Sequence, residues 1–138
     1  MTTVKVEDDL NASAQDVWTA MSDFAGIKVG GPITSFETEG EGVGMIRKIG
    51  MGGALVIERL DNHDADALTF TYAIVNDDSP LPVKDYSATV TITATGDNAC
   101  HVDWTGEFEA DGEEAQAVKV ITGIYKGGIA GAKKTTGG

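Results

Sequence analysis

The side chains in this sequence with chemical potential are a few polar residues set into apolar strand patterns. Glu58 alternates with Val56 and Leu60, and Arg59 with Ile57, so one of the two charges faces the covered side of a sheet. Tyr72 alternates with Leu68, Phe70 and Ile74, and Tyr86 with Ala88, Val90 and Ile92. A carboxylate among apolar neighbours is costly unless it is paired, hydrogen-bonded or wetted by a cavity. For Glu58 alone, a structural ion pair with a nearby Arg or Lys is one reading. A tyrosine alone buries its ring and lets the hydroxyl find any partner. Taken together, a carboxylate and several phenols facing one element read as the polar fittings of an apolar cavity. The catalytic version makes Glu58 a general base whose pKa burial has raised, and Tyr86 a donor to a developing oxyanion.

Other chemistries lack their residues. His63 and His101 stand alone, without a paired His or Cys at ligand spacing, so no zinc site is expected. No Ser sits in a nucleophile-elbow context, and Cys100 reads as a packed apolar thiol. The run Gly42-Val43-Gly44-Met45-Ile46-Arg47 has Arg where a dinucleotide loop needs its third Gly. The loop Asp61-Asn62-His63-Asp64-Ala65-Asp66 has Asp66 where a calcium loop needs Gly, and Tyr72 where it needs Glu; it reads as a solvated turn. No metal and no cofactor are expected.

The elements that must position Glu58 and the tyrosines are organised around the last stretch, about Glu113 to Lys134. Ala117, Ile121, Ile124, Tyr125, Gly128 and Ala132 recur at helical spacing, with acids at the start and lysines at the end, as the helix dipole favours. Gly123, Gly127, Gly128 and Gly131 each cost about 1 kcal/mol against Ala in a helix interior. They point to close backbone approach or to a side of the helix left empty. Before it the chain reads as strand, helix, then six strands. Val4–Leu10 is a strand, Asn11 or Ser13 caps a short helix bearing Val17, Trp18, Met21 and Phe24, and Ala25-Gly26 ends it. Strands follow at Ile33–Thr38, Val43–Ile49, Leu55–Leu60, Leu68–Ile74, Val83–Ala94 and Ala99–Ala110. On the last of these Cys100, Val102, Trp104, Gly106 and Phe108 share one face.

The chain of 138 residues suits a single domain, 1–138, with a real core. No stretch approaches the roughly 18 apolar residues of a membrane span. No signal peptide is read at Met1–Lys5, and one Cys excludes an intrachain disulfide, so the cytoplasm is the expected location. A net charge of -12 leaves no basic patch for nucleic acid and disfavours anionic membrane surfaces.

Several segments resemble the START-related polyketide cyclase, dehydrase and lipid-transport superfamily, whose helix-grip fold is that of birch pollen allergen. They are Val17-Trp18 with Asp23-Phe24, Gly40 to Arg47, Ile57-Glu58-Arg59-Leu60-Asp61, Leu81 to Val90, Val102-Asp103-Trp104 and the Gly-rich final helix. The likeness covers nearly the whole chain. It implies an α+β fold in which a curved antiparallel seven-stranded sheet wraps a long C-terminal helix, with one or two short helices between strands 1 and 2. Within the superfamily the chain is most similar to bacterial relatives of plant abscisic-acid receptors. That likeness implies a gate loop at Gly50–Ala54, a latch at Pro80–Lys84, and a cavity lined by Glu58 and Tyr86. Lys28 falls near the receptors' carboxylate-binding Lys. The gate and latch sequences themselves differ, so only a lidded cavity is carried over, not hormone recognition.

The expectation is a protein that binds a small, mostly hydrophobic molecule between sheet and C-terminal helix, as carrier or sensor. Glu58, Tyr72 and Tyr86 orient the ligand, Trp104, Tyr125 and Leu81 give apolar contact, Lys28 lies nearby, and Trp18 only packs. The rival is a cyclase or dehydratase acting on a polyketide-like carbonyl compound through Glu58 and Tyr86. A third reading, protein–protein interaction through the loops, expects a filled cavity and an exposed Leu81. An edge strand near Ile33–Thr38 offers a route to a homodimer, but monomer and homodimer are both compatible with the sequence.

Overall fold

A computed structural model describes residues 1–27 and 29–138. The order of elements is β1 (Thr2–Leu10), α1 (Ala14–Met21), β2 (Ser35–Glu39), β3 (Ile46–Met51), β4 (Ala54–Asp64), β5 (Thr69–Ile74), β6 (Val83–Gly96), β7 (Ala99–Ala110) and α2 (Glu114–Thr136). The strands form one antiparallel sheet in the order β1-β7-β6-β5-β4-β3-β2. Strand alternation decides which side is covered. Val90, Val102 and Phe108 are fully buried on one face, while Thr91, Asp103 and Glu107 stand on the other. The expected helix-grip architecture is the observed one, with one short helix between β1 and β2 among the described residues.

α2 lies against β1 and α1 and over β7. It buries Ala117, Ile121, Tyr125, Ile129 and Ala132. Ile124, expected on this face, is 39% exposed, and Ile129 takes its place because the stripe follows the drift of a 3.6-residue repeat. The chain leaves α2 through Gly137 in the left-handed conformation. At that end Lys133 makes a 2.5 Å ion pair with Asp8 of β1. At the other end Thr2 donates a 2.6 Å hydrogen bond to Glu114.

α1 is capped by Ser13, whose hydroxyl accepts from the Asp16 amide at 3.1 Å. It stops at Met21, earlier than expected. Phe24 is nevertheless buried, from the turn that follows. Trp18 meets the Phe70 ring edge-on at 6.0 Å and packs as core.

Three boundaries depart from the sequence reading. β2 and β3 begin later than expected, at Ser35 and Ile46. Only the end of the run from Asp61 is a turn: β4 continues to Asp64 through a bulge between Leu60 and Asn62, and the turn spans 65–68. The bulge shifts the alternation by one, so His63, though exposed, shares the face of Phe70 beside Trp18, and the acidic run lies in a strand as far as Asp64. The implied gate is a two-residue hairpin turn, Gly52-Gly53, both at positive φ, between the paired Met51 and Ala54.

Candidate functional site

The covered face carries both the carboxylate and the phenols. Glu58 points inward and is 6% exposed. Directly across the β3–β4 ladder is Arg47, whose Nε donates to Glu58 Oε1 at 2.6 Å. The guanidinium lies over the Phe24 ring, 3.9 Å from its centroid, and Nη1 donates to the Phe24 carbonyl at 3.3 Å. The Tyr72 ring flanks it at 5.5 Å. Burial pushes the Glu58 carboxyl above its ordinary range, and the Arg47 charge pulls it partly back. Glu58 is thus a paired carboxylate. Arg59, on the opposite face, pairs with Asp61 instead.

Beside this pair runs a chain of phenols. Tyr72 and Tyr86 hydroxyls lie 3.1 Å apart, and Tyr86 and Tyr125 hydroxyls 2.5 Å apart. β5, β6 and α2 contribute one each. Gly106 on β7 makes the arrangement possible, because a β carbon there would overlap the Tyr125 hydroxyl. Burial raises the pKa of all three phenols, so they stay protonated and act as donors. Three hydroxyls joined by two hydrogen bonds leave one proton over.

Two cavities adjoin this cluster. The first, of about 420 Å³, is the space between sheet and α2. Its walls are Phe70, Tyr72 and Trp104 from the sheet, Met21 and Ile27 from α1 and the loop after it, and Gly128, Gly131 and Ala132 from α2. Arg47 and Asp23 supply its charge. The glycines of the helix thus divide: Gly131 has open space beside it, whereas Gly128 marks a close approach to the Trp104 indole. Trp104 stacks on Tyr125 at 4.5 Å and 14°. Its Nε1 is the one fully buried side-chain N or O without a hydrogen-bond partner among the described residues.

The second cavity, of about 820 Å³, opens where the sheet splits. The β5–β6 ladder ends at Ala73–Ser87, and the β6–β7 ladder skips Asp85 and Tyr86. Past that point Val75 bonds to Ile57 of β4, whereas Val83 stays with Ala110 of β7. Asp85 holds φ 51 at the bend. Ile74, Asn76, Lys84, Tyr86 and Asp111 line this opening.

Of the sequence-predicted site residues, Tyr72 and Trp104 line the first cavity and Tyr86 the second. Glu58 and Tyr125 line neither; they are held by Arg47 and Tyr86. Leu81 is half-buried against the core and lines neither, and Lys28 lies outside the described residues. Arg47 was missed. Its signal was there, since Arg47 falls on the same alternation as Ile49, the mirror of the argument applied to Glu58.

The profile of the polyketide cyclase/dehydrase and lipid transport family matches residues 1–137, and the chain belongs to that family. Among solved structures it is similar to the protein XoxI from Bacillus cereus, with TM-score 0.85, 24% identity, and coverage of 99% of this chain and 96% of that one. An uncharacterised protein from Bacillus thuringiensis gives 0.84 and 24%, over 98% of each chain. Norcoclaurine synthase from Thalictrum flavum, in complex with dopamine and hydroxybenzaldehyde, gives 0.78 and 21%, over 96% and 84%. At such identities the likeness is one of fold. No curated protein matches the chain in sequence. The narrower likeness to bacterial relatives of abscisic-acid receptors is not carried by these matches. No described helix is long and apolar enough to cross a membrane.

Proposed function

We propose that the protein binds a small, mostly hydrophobic molecule in the cavity between sheet and α2, as a carrier or sensor. The observation that supports this most is the pairing of Gly128 and Gly131 with Phe70, Tyr72 and Trp104 around one apolar space of about 420 Å³. Each glycine weakens the helix by about 1 kcal/mol; Gly131 leaves room in the cavity, and Gly128 makes place for the Trp104 indole that walls it. Burial of ligand surface at about 25 cal/mol per Å² drives binding, less the cost of association. The family's cyclase, dehydrase and lipid-transport members are consistent with such a ligand.

The alternative, a cyclase or dehydratase on a polyketide-like carbonyl compound, asks Glu58 and Tyr86 to converge on one open point. Glu58 is held by Arg47, and the Tyr86 hydroxyl by two other phenols. We therefore prefer the binding reading. Native mass spectrometry of protein purified gently from its own host tests it. A retained apolar compound at stoichiometric level supports the carrier or sensor. A substrate–product pair, lost in Glu58→Gln, supports the enzyme. Apo protein with no thermal shift against a panel of apolar compounds contradicts both.

A further inference from the structure

Arg47 uses only part of its fork. Nε is bonded to Glu58 and Nη1 to the Phe24 carbonyl, and Nη2 has no acceptor among the described residues. A half-buried guanidinium that meets its carboxylate through one nitrogen keeps donors in hand, and this one lines the cavity. The polar groups nearby lean the same way. The phenol chain beside it has one proton over, and the buried indole N–H of Trp104 has no acceptor. Around Arg47 the groups with protons to spare are donors, and Asp23 is the carboxylate on the cavity lining.

Charge sets the second condition. Glu58 already neutralises Arg47, and Asp23 adds another carboxylate to the lining. A ligand carboxylate would compete with Glu58 for a single cation in a partly buried site, where like charges repel more than in water. A neutral acceptor needs no such competition. We propose that Arg47 is the polar anchor of this cavity and that it selects neutral ligands bearing an acceptor oxygen, such as a ketone, over carboxylates. This rests on the binding reading above, and it runs opposite to the carboxylate-binding Lys that the receptor resemblance implies near Lys28.

The test uses three probes that share an apolar body: the neutral fluorescent ketone prodan, its carbonyl-free parent dimethylaminonaphthalene, and the matching dimethylamino-naphthoic acid. Dissociation constants are measured for the full-length protein by fluorescence titration. The ketone is expected to bind at least about tenfold tighter than the carbonyl-free parent, the effect of one charge-assisted hydrogen bond, and tighter than the acid. Equal binding of ketone and parent, or tighter binding of the acid, overturns the inference while leaving the apolar cavity standing. Failure of all three to bind takes down the binding reading and this inference together. The variant is Arg47→Met combined with Glu58→Leu, which leaves no lone buried charge. In it the ketone is expected to lose its advantage over the parent. If the advantage survives there, Arg47 is not the anchor. The three-probe comparison on the unmodified chain stands even if the variant does not fold.

Discussion

Gly128 of α2 lies directly beneath the indole of Trp104 on β7, so close that a β carbon at 128 would overlap the six-membered ring. Helix and sheet meet there through a missing side chain. Gly123, Gly127 and Gly131 have nothing within reach of an added methyl group. The four positions should therefore part company on substitution.

Gly128→Ala gains helix propensity of about 1 kcal/mol but must displace an indole stacked on Tyr125, an overpacking cost of about 1–3 kcal/mol. It is expected to lower stability. Gly123→Ala and Gly127→Ala gain propensity alone and should raise it by up to about 1 kcal/mol each. Gly131→Ala should also stabilise, while narrowing the cavity and weakening ligand binding. Urea denaturation of the four variants checks the signs; stabilisation by Gly128→Ala would show that Trp104 yields freely.

The hydroxyl chain is graded. Tyr86→Phe removes the central hydroxyl and leaves those of Tyr72 and Tyr125 both without each other's partner, whereas Tyr72→Phe breaks one contact. Buried hydrogen bonds contribute about 1 kcal/mol each, with an added penalty for an orphaned partner. Tyr86→Phe is expected to cost about 2–3 kcal/mol and Tyr72→Phe about 1 kcal/mol. Equal losses in chemical denaturation would mean that the middle hydroxyl is not the hub.

The Arg47–Glu58 pair should be costly to break from one side and cheap to remove whole. Arg47→Met alone leaves Glu58 buried without its cation, an expected loss of about 3 kcal/mol or more. Replacing both with Met and Leu should recover most of that. A double-mutant cycle on melting reads the coupling, and additive losses would contradict a buried pair.

A pH effect is expected at the far edge of the sheet. His101 Nδ1 lies 2.8 Å from Asp9 and Nε2 3.2 Å from Glu7, and these hydrogen bonds raise its pKa above the ordinary histidine value of 6.5. A raised folded value means the stabilisation is fully present below about pH 6.5 and is lost as pH rises through the folded pKa. All three side chains are substantially exposed, so solvent screening holds the effect under about 1 kcal/mol. An NMR titration should place the His101 midpoint above 6.5, and His101→Gln should flatten stability between pH 6 and 8. A midpoint at or below 6.5 would contradict the pairing.

The architecture was legible because the two periodicities are strong: alternation in Phe70–Ile74 and Ala88–Ile92, and helical recurrence from Ala117 to Ala132. The inward face of Glu58 followed from the same alternation. What failed was local. A bulge after Leu60 converts a strand into something that looks like an acidic turn, since pattern reading assumes an unbroken period. The exposed Ile124 came from extending one helical stripe past its drift. The pairing of Arg47 with Glu58 is a matter of register between strands, which no single strand's pattern contains. The chain of phenols is likewise tertiary, with partners up to 39 residues apart.

The most direct test of the account is an amide and indole NMR titration of the labelled protein with prodan. Binding between sheet and α2 should move the Trp104 indole N–H together with the amides of Gly128, Gly131 and Tyr72. No shifts at those positions, or shifts confined to Asn76, Lys84 and Asp111 around the split in the sheet, would contradict it.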